Sequence, residues 1–282
     1  MKVLIVGHLG MLGTDLMKVF GPLHEVTGFD HAEMDISSPE SCLAGVKELR
    51  PDVIVNAAAF TRVDDCETHE EEAFRINGHG AGNLSKAAAS SGSLLVHYSS
   101  DYVFDGTKTE AYLEEDEPNP RSVYGKSKLL GEILVRRNCP NHLILRTSWL
   151  FGRNGPNFIR TIVGAARKGA PLRVVNDQKG NPTYSGDLAA QTLKMIAAGC
   201  RDTYHVTNSG SCTWFDLASR ALEWAGIEGV SIEPVSTAEF PRPAPRPANS
   251  TLANARLKRE DLPLLRSWEA AAQEYIESFL KQ

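Results

Sequence analysis

Short apolar runs alternate with amphipathic segments over the first half of the chain. The apolar runs are rich in aliphatic and β-branched residues and cover 2–6, 25–29, 52–56, 94–98 and 142–146. Runs of this length and composition are typical of strands buried on both faces of a parallel sheet. Segments with helical spacing lie between them, at about 12–20, 39–49, 69–90 and from residue 124 onward. The alternation predicts an α/β fold with a parallel sheet.

The pattern becomes less regular after residue 150. It predicts helices at 158–168, 187–198 and 214–225, short strands at 172–175 and 204–207, and a turn at 176–183. A proline-rich segment at 240–247 is unsuited to a helix or an inner strand. The chain closes with an amphipathic helix that includes Trp268 and Tyr275. We therefore expect a larger unit at 1–150 and a smaller, interleaved lobe at 151–282. Segments of the second part, including the region 176–200, could pack with the first unit.

A glycine-rich turn joins the first strand to the first helix. Gly7, Gly10 and Gly13 are spaced by two residues, and His8, Met11 and Leu12 lie among them. Glycines allow the backbone to approach a pyrophosphate, whose charge the N–H groups at the helix N-terminus bind. The strand–turn–helix context favours a dinucleotide site in a Rossmann-type doubly wound sheet; the alternative is an ordinary tight turn.

Residues after the next two strands extend this hypothesis. Asp30 follows the second strand about twenty residues after the middle glycine, where a carboxylate accepts hydrogen bonds from the adenosine ribose. It favours NAD(H) over NADP(H), and the alternative is a solvated loop residue. Asp35 and Ile36 are candidates for the adenine edge. Small residues after the third strand would let a cofactor lie close to the backbone, or simply pack a helix on a strand: Ala57, Ala58 and Ala59.

A hydroxyl, a phenol and an ammonium group are candidates for acid–base chemistry. Tyr124 and Lys128 are four residues apart, on one face of a predicted helix. A nearby cation favours the phenolate, so we expect Lys128 to lower the pKa of Tyr124 towards the range that suits proton transfer. Ser100 follows the fourth strand, at the sheet edge where ligands gather, and its hydroxyl could polarise a carbonyl. Alone, the tyrosine–lysine spacing is also compatible with a half-buried aromatic beside a solvated lysine.

Composition narrows the class of protein. The 282 residues carry a net charge of −5, with 42% hydrophobic residues, which argues against a nucleic-acid binder. The five cysteines form no Cys-x-x-Cys pair, so we expect a reduced, cytoplasmic protein. Apolar runs are too short to span a membrane or to form a signal peptide. The eight histidines form no ligand cluster, and no catalytic metal is expected.

Taken in order, these motifs resemble an extended short-chain dehydrogenase/reductase. Five further stretches resemble the dTDP-4-dehydrorhamnose reductase family in particular, and the resemblance runs from the first strand to the closing helix. They are residues 55–64, 97–105, 146–149, 176–183 and 242–250.

The resemblance implies roles for individual residues. Ser100, at a position where relatives usually have threonine, would donate to the sugar carbonyl. Tyr124 would be the proton donor, and Lys128 would hold the nicotinamide ribose. Asp101 and Trp149 would contact the sugar. Apart from the resemblance, the guanidinium groups of Arg242 and Arg246 in the proline-rich segment could bind phosphates; the alternative is an extended surface loop with exposed cations. The dinucleotide would be lined by Gly7 to Gly13, Asp30, Asp35, Ile36, Ala57 to Ala59 and Tyr98, together with Tyr124 and Lys128.

The implied reaction is reduction of dTDP-4-dehydro-L-rhamnose at carbon 4 by NADPH or NADH, which yields dTDP-L-rhamnose for polysaccharide synthesis. Some relatives are described as binding Mg²⁺ through glutamates at a dimer contact. The corresponding positions here are Asp15, Asp187 and a non-acidic residue, so the sequence predicts no metal and leaves a homodimer open.

Two other functions remain open. A nucleotide-sugar dehydratase needs a second carboxylate after Asp101, where this chain has Tyr102; a 4-epimerase would not consume its cofactor. A non-catalytic regulatory homologue would keep the fold without turnover.

Overall fold

The structure is a computed structural model that describes residues 1–280. In chain order its strands are Lys2–Val6 (β1), Glu25–Phe29 (β2), Val53–Asn56 (β3), Leu94–Ser100 (β4), His142–Thr147 (β5), Leu150–Phe151 (β6), Leu172–Val175 (β7), Lys179–Gly180 (β8), Thr183–Tyr184 (β9), Asp202–His205 (β10), Cys212–Thr213 (β11) and Ile232–Val235 (β12). Its α-helices are Met11–Phe20 (α1), Pro39–Leu49 (α2), Val63–Cys66 (α3), Glu70–Ala73 (α4), Ala81–Ser91 (α5), Val123–Asn138 (α6), Phe158–Arg167 (α7), Ser185–Ala197 (α8), Trp214–Trp224 (α9), Ala255–Arg259 (α10) and Trp268–Phe279 (α11). A π-helix covers Phe74–Gly80, and 3₁₀ turns cover Asp101–Val103 and Thr237–Glu239.

Six parallel strands form the central sheet, in the order β2-β1-β3-β4-β5-β10. Successive side chains of a strand point to opposite faces, and both faces are apolar. Ile5 packs with α1 and α8 on one face, and Leu4 packs with α2 and α5 on the other. The doubly wound α/β fold expected from the alternating pattern is confirmed.

The second half of the chain contributes to both parts of the molecule. Its strand β10 forms the sheet edge beside β5, and α8 packs on α1 through Leu188 and Met195. A separate apolar cluster is formed by α7, α9 and α11, which include Ile159, Leu217 and Tyr275. The division at residue 150 remains a prediction.

Two predicted elements differ from the structure, and one strand was not predicted. The helix expected at 69–90 is interrupted by the π-helix, whose Gly78 packs directly against Leu130 of α6; a Cβ there would lie 2.6 Å from Leu130 Cδ2. The strand expected at 204–207 runs instead from Asp202 to His205, in register with β5. β12, which pairs with β7, was not expected, because Pro234 interrupts its apolar pattern. None of the helices within residues 1–280 has the length and apolar character needed to cross a membrane.

A buried ion pair joins α6 to β5. Glu132 is fully buried and accepts from Arg146 Nε and one terminal nitrogen, each at 2.8 Å, and from Arg136 at 2.6 Å. Burial opposes the negative charge, but the two arginines prevail and lower the pKa of Glu132 to about 2. A depressed pKa makes the carboxylate a source of stability above its ordinary pKa of 4.5, which is lost as pH falls towards 2.

We expect Glu132→Gln to lower the free energy of unfolding by about 3–5 kcal/mol, because Arg146 would remain buried without a counter-charge. The matched control is Arg136→Gln, which removes a partly exposed partner and should cost about 1 kcal/mol or less. Urea denaturation at neutral pH measures both. Equal losses in the two variants would contradict the central place given to the Glu132–Arg146 pair.

Candidate active site

The first glycine turn lies where the strand order reverses, between β1 and β3. Crevices at such points, beyond the carboxyl ends of the strands, bind ligands in open α/β sheets. Gly7 has a φ of +81°, and a Cβ there would lie 2.7 Å from the Ala58 nitrogen. A Cβ on Gly13 would lie 2.1 Å from the Gly7 oxygen. The turn, α1 and the alanine segment therefore pack backbone to backbone, which leaves the turn's outer side open to a ligand.

The N-terminus of α1 suits an anion. Its N-cap, Gly10, provides no side-chain cap, and the first turn contains no acidic residue. The first N–H groups of a helix have no acceptor within the helix and carry partial positive charge, so they fit a pyrophosphate. Leu12 packs in the core, and only its backbone can reach a ligand there, whereas the Met11 side chain is partly exposed.

The candidate residues for the adenosine end lie in a polar loop after β2. The Asp30 carboxylate accepts from the Ala32 nitrogen at 2.7 Å, a hydrogen bond that lowers its pKa. Asp35 accepts from the Ser37 hydroxyl at 2.7 Å. Both carboxylates thus shape the loop, while the Ile36 side chain is buried in the core. The His8 ring packs on Gly28, where a Cβ would lie 2.5 Å from its Cγ.

Ser100 and Tyr124 come together because α6 begins very close to the end of β4. Ser122 caps the helix by accepting from the Gly125 nitrogen at 3.1 Å. A Cβ on Gly125 would lie 2.1 Å from the Tyr102 carbonyl oxygen, so only glycine permits this approach. The Ser100 hydroxyl lies close enough to the Tyr124 phenol to oppose the rise of its pKa. The two residues, expected to act together, are therefore neighbours in the structure.

The structure does not show the effect of Lys128 on the Tyr124 pKa that their spacing predicts. Its ammonium donates to the Tyr98 carbonyl at 2.6 Å, and burial lowers its own pKa to about 8. The Tyr124 ring is partly exposed but its hydroxyl lies deep, and burial raises the pKa of this phenol. Asp101 raises it further. The prediction that Lys128 brings the Tyr124 pKa down is thus contradicted in this arrangement, since desolvation is the larger effect.

Tyr98 offers a ligand little of its side chain. The ring belongs to the core cluster beneath the sheet, and its hydroxyl is hydrogen-bonded to Thr192 of α8 at 2.7 Å. Its place in the cofactor site stays a prediction, and the group that faces the site residues is its carbonyl, which accepts from Lys128.

Trp149 follows β5 closely and lies in an aromatic stack with α9. Its ring is parallel to that of Trp214, with centroids 3.5 Å apart. Gly180 packs against the indole, and a Cβ there would lie 2.4 Å from it. The backbone of Trp149 has a φ of +46°, which is uncommon for a bulky residue. Packing on both sides thus fixes the indole as a rigid wall.

The two arginines of the proline-rich segment are paired with a carboxylate that the sequence analysis did not single out. Arg246 lies 2.9 Å and Arg242 3.4 Å from the Asp64 side chain, and the Ala244 nitrogen donates to it at 3.2 Å. Arg246 also lies over the Tyr102 ring, which packs edge-on against Tyr124 at 5.5 Å. Asp64 falls in the 55–64 stretch that carried the resemblance, and that was its only signal.

The positions discussed for Mg²⁺ have protein partners. Asp15 accepts from the Ser185 hydroxyl, and Asp187 forms two hydrogen bonds with Arg266, at 2.8 and 3.0 Å. Across residues 1–280 we find no cluster of three or more histidine, cysteine or acidic side chains placed to hold a metal ion.

Comparisons with known proteins agree with this geometry. The family described as "RmlD substrate binding domain" matches residues 1–281. The spore coat polysaccharide biosynthesis protein SpsK of Bacillus subtilis is 39% identical, over 98% of this chain and 97% of its own. A crystal structure of a dTDP-4-dehydrorhamnose reductase from Clostridium acetobutylicum is 41% identical, with a TM-score of 0.96 and 99% of both chains covered. That of the Bacillus anthracis enzyme in complex with NADP is 36% identical, with a TM-score of 0.96, over 98% of this chain and 99% of its own.

A match over nearly the whole length, in sequence and in fold, therefore places the chain in the RmlD substrate binding domain family.

Proposed function

We propose that this protein reduces the 4-keto group of dTDP-4-dehydro-L-rhamnose to give dTDP-L-rhamnose, with NADPH or NADH as the reductant. The observation that carries the proposal is the closeness of the Ser100 hydroxyl to the Tyr124 phenol at the carboxyl edge of the sheet, where Ser100 acts on the pKa of Tyr124. Family membership and the two similar crystal structures, both of dTDP-4-dehydrorhamnose reductases, support the substrate class. The NADP complex of the Bacillus anthracis enzyme supports the cofactor.

The cofactor, when bound, supplies the hydride. Chain groups that fit it are the uncapped N-terminus of α1 for the pyrophosphate and the close-packed Gly7 and Gly13 turn. Lys128 is held by the Tyr98 carbonyl, where its ammonium is placed for a ribose hydroxyl. We assign the loop at Asp30 and Asp35 to the adenosine end.

The proton and the carbonyl polarisation come from the protein. Tyr124, whose pKa burial raises, is protonated at neutral pH and can give its proton to the alkoxide that forms at carbon 4. Ser100 stabilises the developing negative charge on the same oxygen. Lys128 is mostly protonated at neutral pH, with a pKa lowered to about 8 by burial, so a cation remains close to the site.

We assign the rest of the substrate to the surfaces around this pair. The rigid Trp149 indole is placed for the sugar, and Arg242 and Arg246 for the diphosphate; Asp101, expected at the sugar, is only 2% exposed and lies against Ser100. Because Asp64 already pairs with both arginines, a diphosphate would have to share or displace that partner. We also propose a cytoplasmic location and no nucleic-acid partner, supported by five free, buried cysteines and the negative net charge.

A panel of nucleotide-linked 4-keto-6-deoxysugars, offered with NADPH and with NADH, tests the proposal. We expect stoichiometric oxidation of the reduced cofactor with dTDP-4-dehydrorhamnose, and the rhamno configuration at carbon 4 of the product by NMR. A 4-epimerase would interconvert sugars without net oxidation of the cofactor. A regulatory homologue would show no turnover with any member of the panel.

We expect Tyr124→Phe to lower kcat at least about 100-fold, because the proton donor is lost while the ring keeps its packing. The control is Tyr204→Phe. Tyr204 lies on the edge strand β10, and its hydroxyl is hydrogen-bonded to Glu260, so its removal should leave turnover nearly intact. Steady-state kinetics measure the effect, with circular dichroism to confirm folding. Substantial turnover by a folded Tyr124→Phe protein would remove Tyr124 from the mechanism.

We expect Asp30→Asn to raise the ratio of kcat/KM for NADPH to that for NADH several-fold, because the carboxylate that repels a 2′-phosphate is replaced by a neutral acceptor. The amide can still accept from the Ala32 nitrogen, so the loop should be preserved. Glu33→Gln removes a neighbouring charge, one that accepts from the Asp30 nitrogen, and is the matched control. An equal change of the ratio in both variants would show a general charge effect rather than contact with the ribose.

A further inference from the structure

The single hydrogen of the Ser100 hydroxyl is needed both by the Asp101 carboxylate and by a substrate carbonyl. Its oxygen accepts from the Tyr102 nitrogen at 3.1 Å, and it lies 2.8 Å from Asp101 Oδ1. If Asp101 is ionised, it accepts only, and the Ser100 hydrogen must point to the carboxylate. The hydroxyl then has no hydrogen left for a substrate carbonyl.

The Asp101 carboxyl group is built into a place that disfavours its charge. Its residue is 2% exposed, and Oδ2 is buried without a hydrogen-bond partner. The Ser250 hydroxyl lies beside the carboxyl and lowers its pKa, yet it donates to the Lys179 carbonyl at 3.4 Å. A buried carboxylate with one lone oxygen and no cation bound to it is costly.

The neighbouring charged groups do not stabilise a negative charge on Asp101. On α6, Tyr124 is neutral, and Lys128 donates to the Tyr98 carbonyl instead. On the 3₁₀ turn, Tyr102 is a second neutral phenol, over which Arg246 lies with its charge paired to Asp64 of α3. Thus Asp101 faces hydroxyl groups rather than a counter-ion.

We propose that Asp101 is a positioning residue that works as a neutral carboxylic acid, donating to the Ser100 oxygen so that the Ser100 hydrogen is directed at the substrate carbonyl. Every donor and acceptor of the Ser100 hydroxyl then has one partner. The two lone pairs of the Ser100 oxygen accept from Asp101 and from the Tyr102 nitrogen, and its hydrogen and that of Tyr124 both reach the carbonyl oxygen. Asp101 keeps its proton throughout. The inference deepens the proposed function and rests on it.

The pH dependence follows from the sign of the shift. Burial raises the pKa of Asp101 to about 6, against hydroxyl and backbone hydrogen bonds that lower it. The neutral acid therefore predominates below that value and is lost as pH rises through it. Because a bound substrate excludes water and disfavours the charge further, the fall in kcat should come at a higher pH than the fall in kcat/KM, which reports the free enzyme.

The test compares the wild type with Asp101→Asn, since an amide can donate to the Ser100 oxygen but cannot ionise. Between about pH 5.5 and about pH 7.5 we expect kcat/KM of the wild type to fall more than about tenfold. The variant should be several-fold slower at the acidic end, because an amide is a weaker donor than an acid, and independent of pH over that range. A parallel fall in both proteins, or no fall in the wild type, would overturn the proposal.

A direct measurement on the ligand-free protein separates this inference from the proposed reaction. Difference infrared spectroscopy should show a protonated carboxyl band that titrates near pH 6 and is missing in Asp101→Asn. In Ser100→Ala the titration should shift to higher pH, because the Ser100 hydroxyl lowers the Asp101 pKa. If the Asp101 carboxyl group were already ionised at about pH 5, the proposal would be wrong. If the wild type lacked turnover while the band titrated as expected, the reaction assignment would fail instead.

Discussion

The close approach of α6 to the end of β4 is the constraint on which the site depends. Gly125 allows the first turn to contact the Tyr102 carbonyl, and two turns later Glu132 is held by Arg146 of β5. Lys128 lies between these two attachments, and Tyr124 is the residue directly before the first of them. Their positions are therefore set by packing before any ligand arrives, and such preorganisation is what directional proton transfer requires.

Two aspartates near the site are treated in opposite ways by the fold. Asp64 is paired with Arg242 and Arg246, and it ties the proline-rich segment to α3. Asp101 has only hydroxyl and backbone groups as hydrogen-bonding neighbours. The Asp64 carboxylate thus binds two arginines of a segment distant in sequence. The Asp101 carboxyl group lies among neutral groups next to the reacting position. Environments that differ in this way give identical side chains different chemical uses.

The sequence was sufficient for features that depend on local pattern. The apolar runs predicted five strands of the sheet, and the glycine turn and the tyrosine–lysine pair fell at the expected strand and helix ends. Features that depend on contacts between distant segments were missed. The direction of the Tyr124 pKa shift is one, because the depth of the phenol is set by packing. The Asp64 partner of Arg246 is another, since nothing local to the proline-rich segment points to it. The π-helix at Phe74–Gly80 reflects contact with α6, which no helical periodicity reveals.

The late position of β10 in the chain has a consequence for biogenesis. β5 ends at Thr147, yet its outer neighbour spans Asp202–His205. While the polypeptide leaves the ribosome, the backbone groups along that flank of β5 must stay unpaired until more than fifty further residues have emerged. An exposed strand flank invites pairing with other nascent chains. The intervening segment includes α8, which packs on α1 through apolar contacts. It can cover part of the incomplete sheet before β10 pairs with β5.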